Sequence, residues 1–318
     1  MKFKSLILLF AIPLLSCSQQ AKTIESRVFC FDTSVHVKIE SSEKNYLSDI
    51  ENIFYQYDEL SDNYQNRDIT NVCSINNNLY SDITIENELY DLLQTSFSVM
   101  EEGANYFNPL CGSLAKKWKE SLKENQLLED DILSEELLKL NSSQVIFREN
   151  NVIQKIGDAE IDLGGIVKGY ALDKVLEYLK EKEIKNYLIN AGNSSILLGE
   201  KNADDGYFTV GLSDLNKAYL KLKNCFVSTS SKSVQGVKIG DITYSHIINP
   251  TNGSAINEND AVIVISDKGY LGDALSTSMM MNTVEEIKVI EQAQNVKVIV
   301  IKNNAVIYSN PNIEVMYH

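Results

Sequence analysis

The stretch Ile161-Asp162-Leu163-Gly164-Gly165-Ile166-Val167-Lys168-Gly169-Tyr170-Ala171-Leu172-Asp173 constrains the fold more than any other part of the chain. An apolar residue and an acid lead into paired glycines. The apolar spacing of Tyr170, Val175, Leu176 and Leu179 then predicts an amphipathic helix reaching Lys182. The pattern is that of a strand, a tight turn and a helix start. Adjacent glycines let backbone approach a ligand with no Cβ in the way, and the amides of a first helical turn attract anions. Lys168 adds a mobile positive charge beside that turn. An ordinary strand-to-helix turn has the same signature, so the choice between the two rests on the remainder of the chain.

With 318 residues, 44% of them hydrophobic and 23% charged, the chain can bury a sizeable core as one large domain or two joined lobes. Lys and Arg number 29 against 44 Asp and Glu, a net charge of -15. That balance excludes the basic stripe needed to follow a phosphate backbone, and no nucleic-acid partner is expected.

The first residues read as a targeting segment. Lys2 and Lys4 precede an apolar run from Leu6 to Leu15 that is too short to span a bilayer. It ends in Leu14-Leu15-Ser16-Cys17, which resembles a bacterial lipobox. The resemblance implies a signal peptide over residues 1–16, cleavage before Cys17 and lipidation of that cysteine. Residues 17–26 would form a polar tether, and residues 27–318 the folded domain. Several acyl chains on one residue anchor stably where one chain binds only marginally. The expected location is therefore a membrane surface outside the cytoplasm, periplasmic or on the cell exterior. The other cysteines, Cys30, Cys73, Cys111 and Cys225, are too far apart for a zinc or redox motif and read as buried thiols, although an oxidising compartment would also permit a disulfide. His36, His246 and His318 are too scattered for a His-rich metal site.

In chain order, Arg27 to Glu40 reads as a strand, Glu43 to Leu60 and Asn87 to Glu102 as helices, and Val145 to Ile156 as a hairpin turning through Asn150-Asn151. Short strands are predicted around Tyr187–Asn190, Ile196–Leu198, Tyr207–Leu212 and Cys225–Ser228. Between them lie Asn190-Ala191-Gly192-Asn193-Ser194 and Ser228-Thr229-Ser230-Ser231, small polar runs that suit loops and can also line a phosphate site. Tyr244 to Gly253 reads as a strand ending in a turn, Ala261 to Ser266 as a buried strand, and Asp273 as the residue that caps or opens a helix to about Met281. If both lie in that helix, Asp273 and Thr277 share a face. A carboxylate beside a hydroxyl suits a hard cation such as Mg²⁺, which keeps its other positions for water and phosphate, and it equally suits an N-cap followed by a backbone-bonded threonine. A helix over Val284–Ala293 and a hairpin of Val296–Ile301 with Ala305–Tyr308 close the chain.

The ordered motifs Asp162-Leu-Gly-Gly-Ile-Val-Lys168-Gly-Tyr-Ala, Asn190-Ala-Gly192, Ser228-Thr229-Ser230, Ser245-His246-Ile-Ile-Asn-Pro250 and Asp273-Ala-Leu-Ser-Thr277 resemble the ApbE family of FAD:protein FMN transferases. The resemblance runs from about Arg27 to Tyr308. It implies an α+β fold, with antiparallel sheet cores flanked by helices and a cleft for FAD between lobes. It also implies Mg²⁺-dependent transfer of the FMN half of FAD onto a threonine hydroxyl of a target flavoprotein. Residue by residue, it implies Mg²⁺ ligation by the side chains of Asp273 and Thr277 and by a backbone oxygen at Gly165. Contacts to FAD are implied for Phe31, Tyr64, Tyr106, Phe107, Asn108, Asp162, Lys168 and His246. Catalysis then rests on Asp273, Lys168 and Thr277.

Three departures remove carboxylates from the expected cleft. The family's Phe-Asp-Pro-Thr is Phe107-Asn108-Pro109-Leu110 here, Asn-Ala-Gly-Gly-Asp is Asn190-Ala191-Gly192-Asn193-Ser194, and His-Ile-Ile-Asp-Pro is His246-Ile247-Ile248-Asn249-Pro250. A threonine hydroxyl attacking the FMN phosphorus gives transfer, and water attacking it gives FMN and AMP. An FAD pyrophosphatase and a non-catalytic flavin-binding lipoprotein are therefore the alternative expectations. The anchor is open to direct test: Cys17→Ala is expected to leave the protein unprocessed or free of the membrane fraction, as read by fractionation and N-terminal mass.

Overall fold

Strand signals dominate the middle and end of the chain. In the computed structural model, which describes residues 22–78, 80–201, 205–215 and 217–318, they pair into four antiparallel sheets. The chain opens with β1 (Lys22–Cys30), β2 (Thr33–Ser41), α1 (Asn45–Ser61), α2 (Val72–Asn77), β3 (Asp82–Thr84), α3 (Asn87–Glu101), α4 (Gly112–Lys123) and α5 (Asp130–Ser142). Next come β4 (Gln144–Arg148), β5 (Val152–Ile156), α6 (Val167–Glu181), β6 (Tyr187–Ala191), β7 (Ser195–Leu198), β8 (Phe208–Gly211), β9 (Ala218–Leu222) and β10 (Cys225–Ser231). The last elements are β11 (Val237–Ile239), β12 (Ile242–Tyr244), β13 (Ala261–Ser266), α7 (Gly269–Met279), α8 (Val284–Gln294), β14 (Lys297–Lys302), β15 (Ala305–Ser309) and β16 (Met316–Tyr317).

An eight-stranded sheet in the order β1-β2-β6-β7-β10-β13-β14-β15 forms the centre, and smaller sheets β3-β5-β4, β16-β9-β8 and β11-β12 surround it. This is the expected α+β class. Residues on the two faces of β13 alternate between two cores. Val262 and Val264 join the main core with Leu172 and Val175 of α6 and Leu275 of α7, whereas Ala261, Ile263 and Ile265 pack with Val210 and Leu220 of the small sheet. Burial on both faces is why this strand reads as an unbroken apolar run. A third cluster gathers Leu114, Trp118 and Leu122 of α4 against Tyr244, Ile248 and Ala255.

Several elements differ from the sequence expectation for identifiable reasons. Arg27 to Glu40 is a hairpin and not one strand, because Phe31 and Asp32 take φ of 53° and 54° and reverse the chain without the Asn-Gly signal such turns usually carry. Residues Ile161 to Leu163 are extended but join no ladder. Ile161 instead exchanges two hydrogen bonds with the Asn76 side chain, and the Asp162 N–H donates to the Pro109 carbonyl at 2.8 Å. The strand predicted from Tyr244 onward is not formed: β12 (Ile242–Tyr244) ends where it was expected to begin, and the chain beyond it turns through side-chain bonds such as Thr251 N–H to Asn249 Oδ1. Helix α7 begins at Gly269, which places Asp273 inside the helix and not at its cap. Strand β1 begins at Lys22, within the stretch read as tether, while Cys17 and the apolar run before it lie outside the described residues. No described helix is long and apolar enough to cross a membrane. Cys30, Cys73, Cys111 and Cys225 are free thiols.

The two-sided burial of β13 predicts a large cavity penalty there. Ile263→Ala is expected to cost about 2–5 kcal/mol of unfolding free energy, measured by urea denaturation.

Candidate active site

Helices α6 and α7 cross with their backbones in contact. A Cβ on Gly169 would strike the carbonyl of Gly269, and one on Gly269 would strike the carbonyl of Gly169. Glycine is thus required here by space, not by dihedral angle. The contact is locked by two reciprocal bonds. The Gly169 N–H donates to Asp273 Oδ2 at 2.7 Å, and the Gly269 N–H donates to Asp173 Oδ1 at 2.9 Å. The sequence around each glycine has the same form, Lys168-Gly169-Tyr170-Ala171-Leu172-Asp173 and Lys268-Gly269-Tyr270-Leu271-Gly272-Asp273. That repeated Lys-Gly-Tyr-x-x-Asp pattern is the signal by which Asp173, absent from the expected site, was detectable in the sequence.

Asp273 is buried and takes hydrogen bonds from three donors. Ser228 Oγ reaches Oδ1 at 2.6 Å, Ser195 Oγ bridges both oxygens at 2.8 and 3.0 Å, and the Gly169 amide takes Oδ2. Burial pushes its pKa above the ordinary carboxylate range, and the Lys168 ammonium and these donors oppose that shift. Ser195 and Ser228 come from β7 and β10, neighbours in the central sheet. The polar run Ser228–Ser231 noted in the sequence thus supplies one of the groups that hold the aspartate, and Ser195 stands one residue beyond the other run. One helical turn on, Thr277 Oγ1 lies 3.3 Å from Ser230 Oγ.

Gly165 lies on the same side. A Cβ there would sit 3.5 Å from Thr277 Oγ1 and 3.2 Å from the ring of Phe107, so the paired glycines bring backbone against the threonine. The neighbouring acid shapes the turn itself, since Asp162 Oδ1 accepts the Gly164 N–H at 2.7 Å. Tyr106 is tied in through its N–H, which donates to Ser278 Oγ of α7 at 3.0 Å. Asn108 accepts the Leu110 N–H at 2.9 Å, closing a turn that an aspartate would close equally well. The lost carboxylate at this position changes charge and leaves the backbone alone.

Lys168 is half-buried in the first turn of α6, within electrostatic reach of both Asp273 and His246. His246 is open to solvent yet crowded by protein; that crowding and the Lys168 charge push its pKa down to about 4. The imidazole is therefore neutral over the ordinary pH range. Gly165, Asp273, Thr277, Phe107, Tyr106, Asp162, Lys168 and His246 thus form one connected group.

Phe31 and Tyr64 stand further out. Phe31 sits in the β1–β2 turn, with its N–H on Asp58 at 2.6 Å and its ring edge-on to Phe54 in the core. Tyr64 is 56% exposed, and the Lys116 and Lys119 ammoniums lie over its ring at 4.6 and 5.2 Å. Lys116 also bonds Glu160 at 2.6 Å, two residues before Asp162, which is the link between Tyr64 and the group. A surface recess of about 590 Å³ beside Lys180, Glu183 and Tyr187 is lined by none of these residues.

The fold is that of solved flavin transferases. The chain superposes on an ApbE protein from Thermotoga maritima with a TM-score of 0.78 at 22% identity, covering 93% of this chain and 97% of that one. It superposes on the flavin transferase ApbE from Vibrio cholerae with a TM-score of 0.74 at 18% identity, covering the same shares. The ApbE family model matches residues 31–300, so the chain belongs to the ApbE family. Curated relatives named FAD:protein FMN transferase include one from Treponema pallidum, 26% identical over 67% of this chain and 65% of its own length. A Klebsiella pneumoniae relative is 27% identical over 72% of this chain and 74% of its own length, and one from Chlamydia pneumoniae is 25% identical over 87% and 90%.

The electrostatic coupling predicts a visible titration. By NMR, the His246 imidazole is expected to titrate near pH 4 in the ligand-free protein, and Lys168→Met should raise that midpoint by removing the nearby positive charge.

Proposed function

We propose that this chain transfers the FMN half of FAD onto a hydroxyl of a target flavoprotein, releasing AMP, the activity for which its relatives are named. The observation that carries the reading is the convergence of Gly165, Lys168, His246, Asp273 and Thr277, drawn from three separate motifs, on the α6–α7 crossing. In the reaction the acceptor hydroxyl oxygen bonds to the FMN phosphorus, the bridging P–O bond of the pyrophosphate breaks, AMP leaves with the bridging oxygen, and the hydroxyl proton is lost. Negative charge spreads over phosphoryl oxygens on the way, and the Lys168 ammonium in the first turn of α6 is placed to attract it. Neutral His246 is available to accept a hydrogen bond from the attacking hydroxyl.

The donor set suits Mg²⁺. Asp273 offers a carboxylate, Thr277 a hydroxyl and Gly165 a carbonyl, all hard oxygens. The described residues hold no cluster of three His, Cys, Asp or Glu that would favour a dedicated protein cage. A carboxylate has about four acceptor positions. Three donors make four contacts with Asp273, so a metal would take the position that the bridging Ser195 hydroxyl gives up when it keeps only one of its two bonds. When bound, Mg²⁺ would supply charge neutralisation at the pyrophosphate. The chain's own part is to orient Asp273 through Ser195, Ser228 and the Gly169 amide, and to keep Lys168 beside it. Attachment through Cys17 and an extracytoplasmic location belong to the same proposal and rest on the lipobox-like sequence.

Incubating the full chain with FAD, Mg²⁺ and a protein carrying an acceptor threonine tests the reading. Flavinylated protein with AMP supports it, free FMN with AMP marks a pyrophosphatase, and neither product overturns both. Asp273→Asn is expected to lower transfer by about two orders of magnitude or more, as loss of roughly 3 kcal/mol of transition-state stabilisation implies. Its metal-free melting temperature should change little. An asparagine oxygen can still accept the Gly169 N–H, while Ser195 and Ser228 rotate to accept from the amide nitrogen. Thr277→Val should give a milder loss. Lys168→Ala should weaken FAD turnover without unfolding the protein.

A further inference from the structure

We infer that Asp173 is a positioning residue for Asp273: it caps α7 from α6 and so sets where the proposed metal-binding carboxylate stands. The inference rests on the reading of Asp273 as a metal ligand. Helix α7 has no cap of its own, since Lys268 precedes it and makes no side-chain capping bond. Asp173 supplies the missing acceptor from the neighbouring helix, with Oδ1 on the Gly269 amide at 2.9 Å and Oδ2 on the Tyr270 amide at 2.8 Å. One carboxylate thus satisfies two of the amides that a helix start leaves free, and its charge meets the positive end of the helix.

The cap is coupled to the site by geometry. Asp273 is one turn beyond Gly269, about 6 Å along the axis. From there it returns a bond to Gly169, one turn before Asp173. The helices meet backbone to backbone at this point, because the carbonyl of each glycine occupies the space a Cβ on the other would need. Packing of Tyr170 against Tyr270, with ring centroids 6.4 Å apart, adds a contact at the same crossing. Two acids and two backbone amides therefore form a closed loop of fixed length, and freeing one end shifts the other. Asp173 acts through the first turn of α7, whose amides are its hydrogen-bond partners.

Groups that orient a ligand typically change metal affinity by about 10–100-fold when removed. The test is Mn²⁺ binding to the full chain in detergent, with free ion followed by electron paramagnetic resonance, alongside melting temperature without metal. Asp173→Ala is expected to raise the half-saturating Mn²⁺ concentration about tenfold or more. Asp173→Asn keeps one acceptor for one of the two amides, so it should give an intermediate loss and carries the test if the alanine variant fails to fold. Thr283→Ala breaks the capping box of α8, whose bonds involve neither Asp173 nor Asp273, and separates positioning from general loss of stability. It should lower the melting temperature and leave Mn²⁺ affinity unchanged. An Asp173→Asn protein that binds Mn²⁺ within twofold of the native chain, while Asp273→Asn does not bind, overturns the inference alone. Native-like binding by Asp273→Asn overturns the metal site and the inference with it. Equal weakening in Asp173→Asn and Thr283→Ala also overturns it, since affinity would then follow stability.

Discussion

Backbone meets backbone where Gly169 faces Gly269, and the residues that would handle phosphate take their positions from that contact. Lys168 precedes the first glycine, Asp273 stands one turn beyond the second, and Thr277 one turn further still. A side chain at either glycine would push the helices apart. The carboxylate would then leave the Gly169 amide that fixes one of its oxygens. Gly272 extends the same logic toward the sheet, because a Cβ there would press on Ser228 Oγ and Ser266 Oγ at 2.7 and 2.8 Å. The helix that carries the acid is thus seated tightly on α6 and on the strands β10 and β13.

Burying a carboxylate is unfavourable unless hydrogen bonds and an opposite charge offset the lost hydration. Asp273 has the hydrogen bonds, and Lys168 supplies part of the charge, yet burial still raises its pKa. On the proposed reading, a divalent cation would complete what the protein leaves incomplete. The surrounding substitutions act on the same electrostatics. Asn108 and Asn249 close the same local turns an aspartate would, so the chain keeps its backbone while the region around the crossing becomes less negative.

How far this was legible from the sequence depends on which force fixes each part. Helices α1, α3, α6 and α8 and the hairpin turning through Asn150 and Asn151 follow from apolar spacing and left-handed turn residues, both local. The order of motifs was likewise enough to indicate the family. The β1–β2 reversal was not legible, because Phe31 is not a turn former and no glycine follows Asp32; the Phe31 amide is held by Asp58, 27 residues away. The helix start at Gly269 was missed for a similar reason, as its cap comes from residue 173 and not from its own sequence. The segment at Ile161 looked like a strand because its residues alternate, yet its partners are the Asn76 side chain and the Pro109 carbonyl. Of the expected site, Gly165, Lys168, Asp273 and Thr277 lie near one another, whereas of the serines that hold the aspartate Ser228 was visible only within a polar run and Ser195 was not singled out.

The groups that hold Asp273 lie 45, 78 and 104 residues away along the chain, on β10, β7 and α6. Contacts of such span close late, since each requires a long loop to be ordered before any reward is gained. No single hairpin or helix pair of this protein therefore contains the aspartate's full set of partners. The hydrogen-bonded setting of Asp273 is a property of the finished fold, and a chain still partly folded holds that acid loose and hydrated.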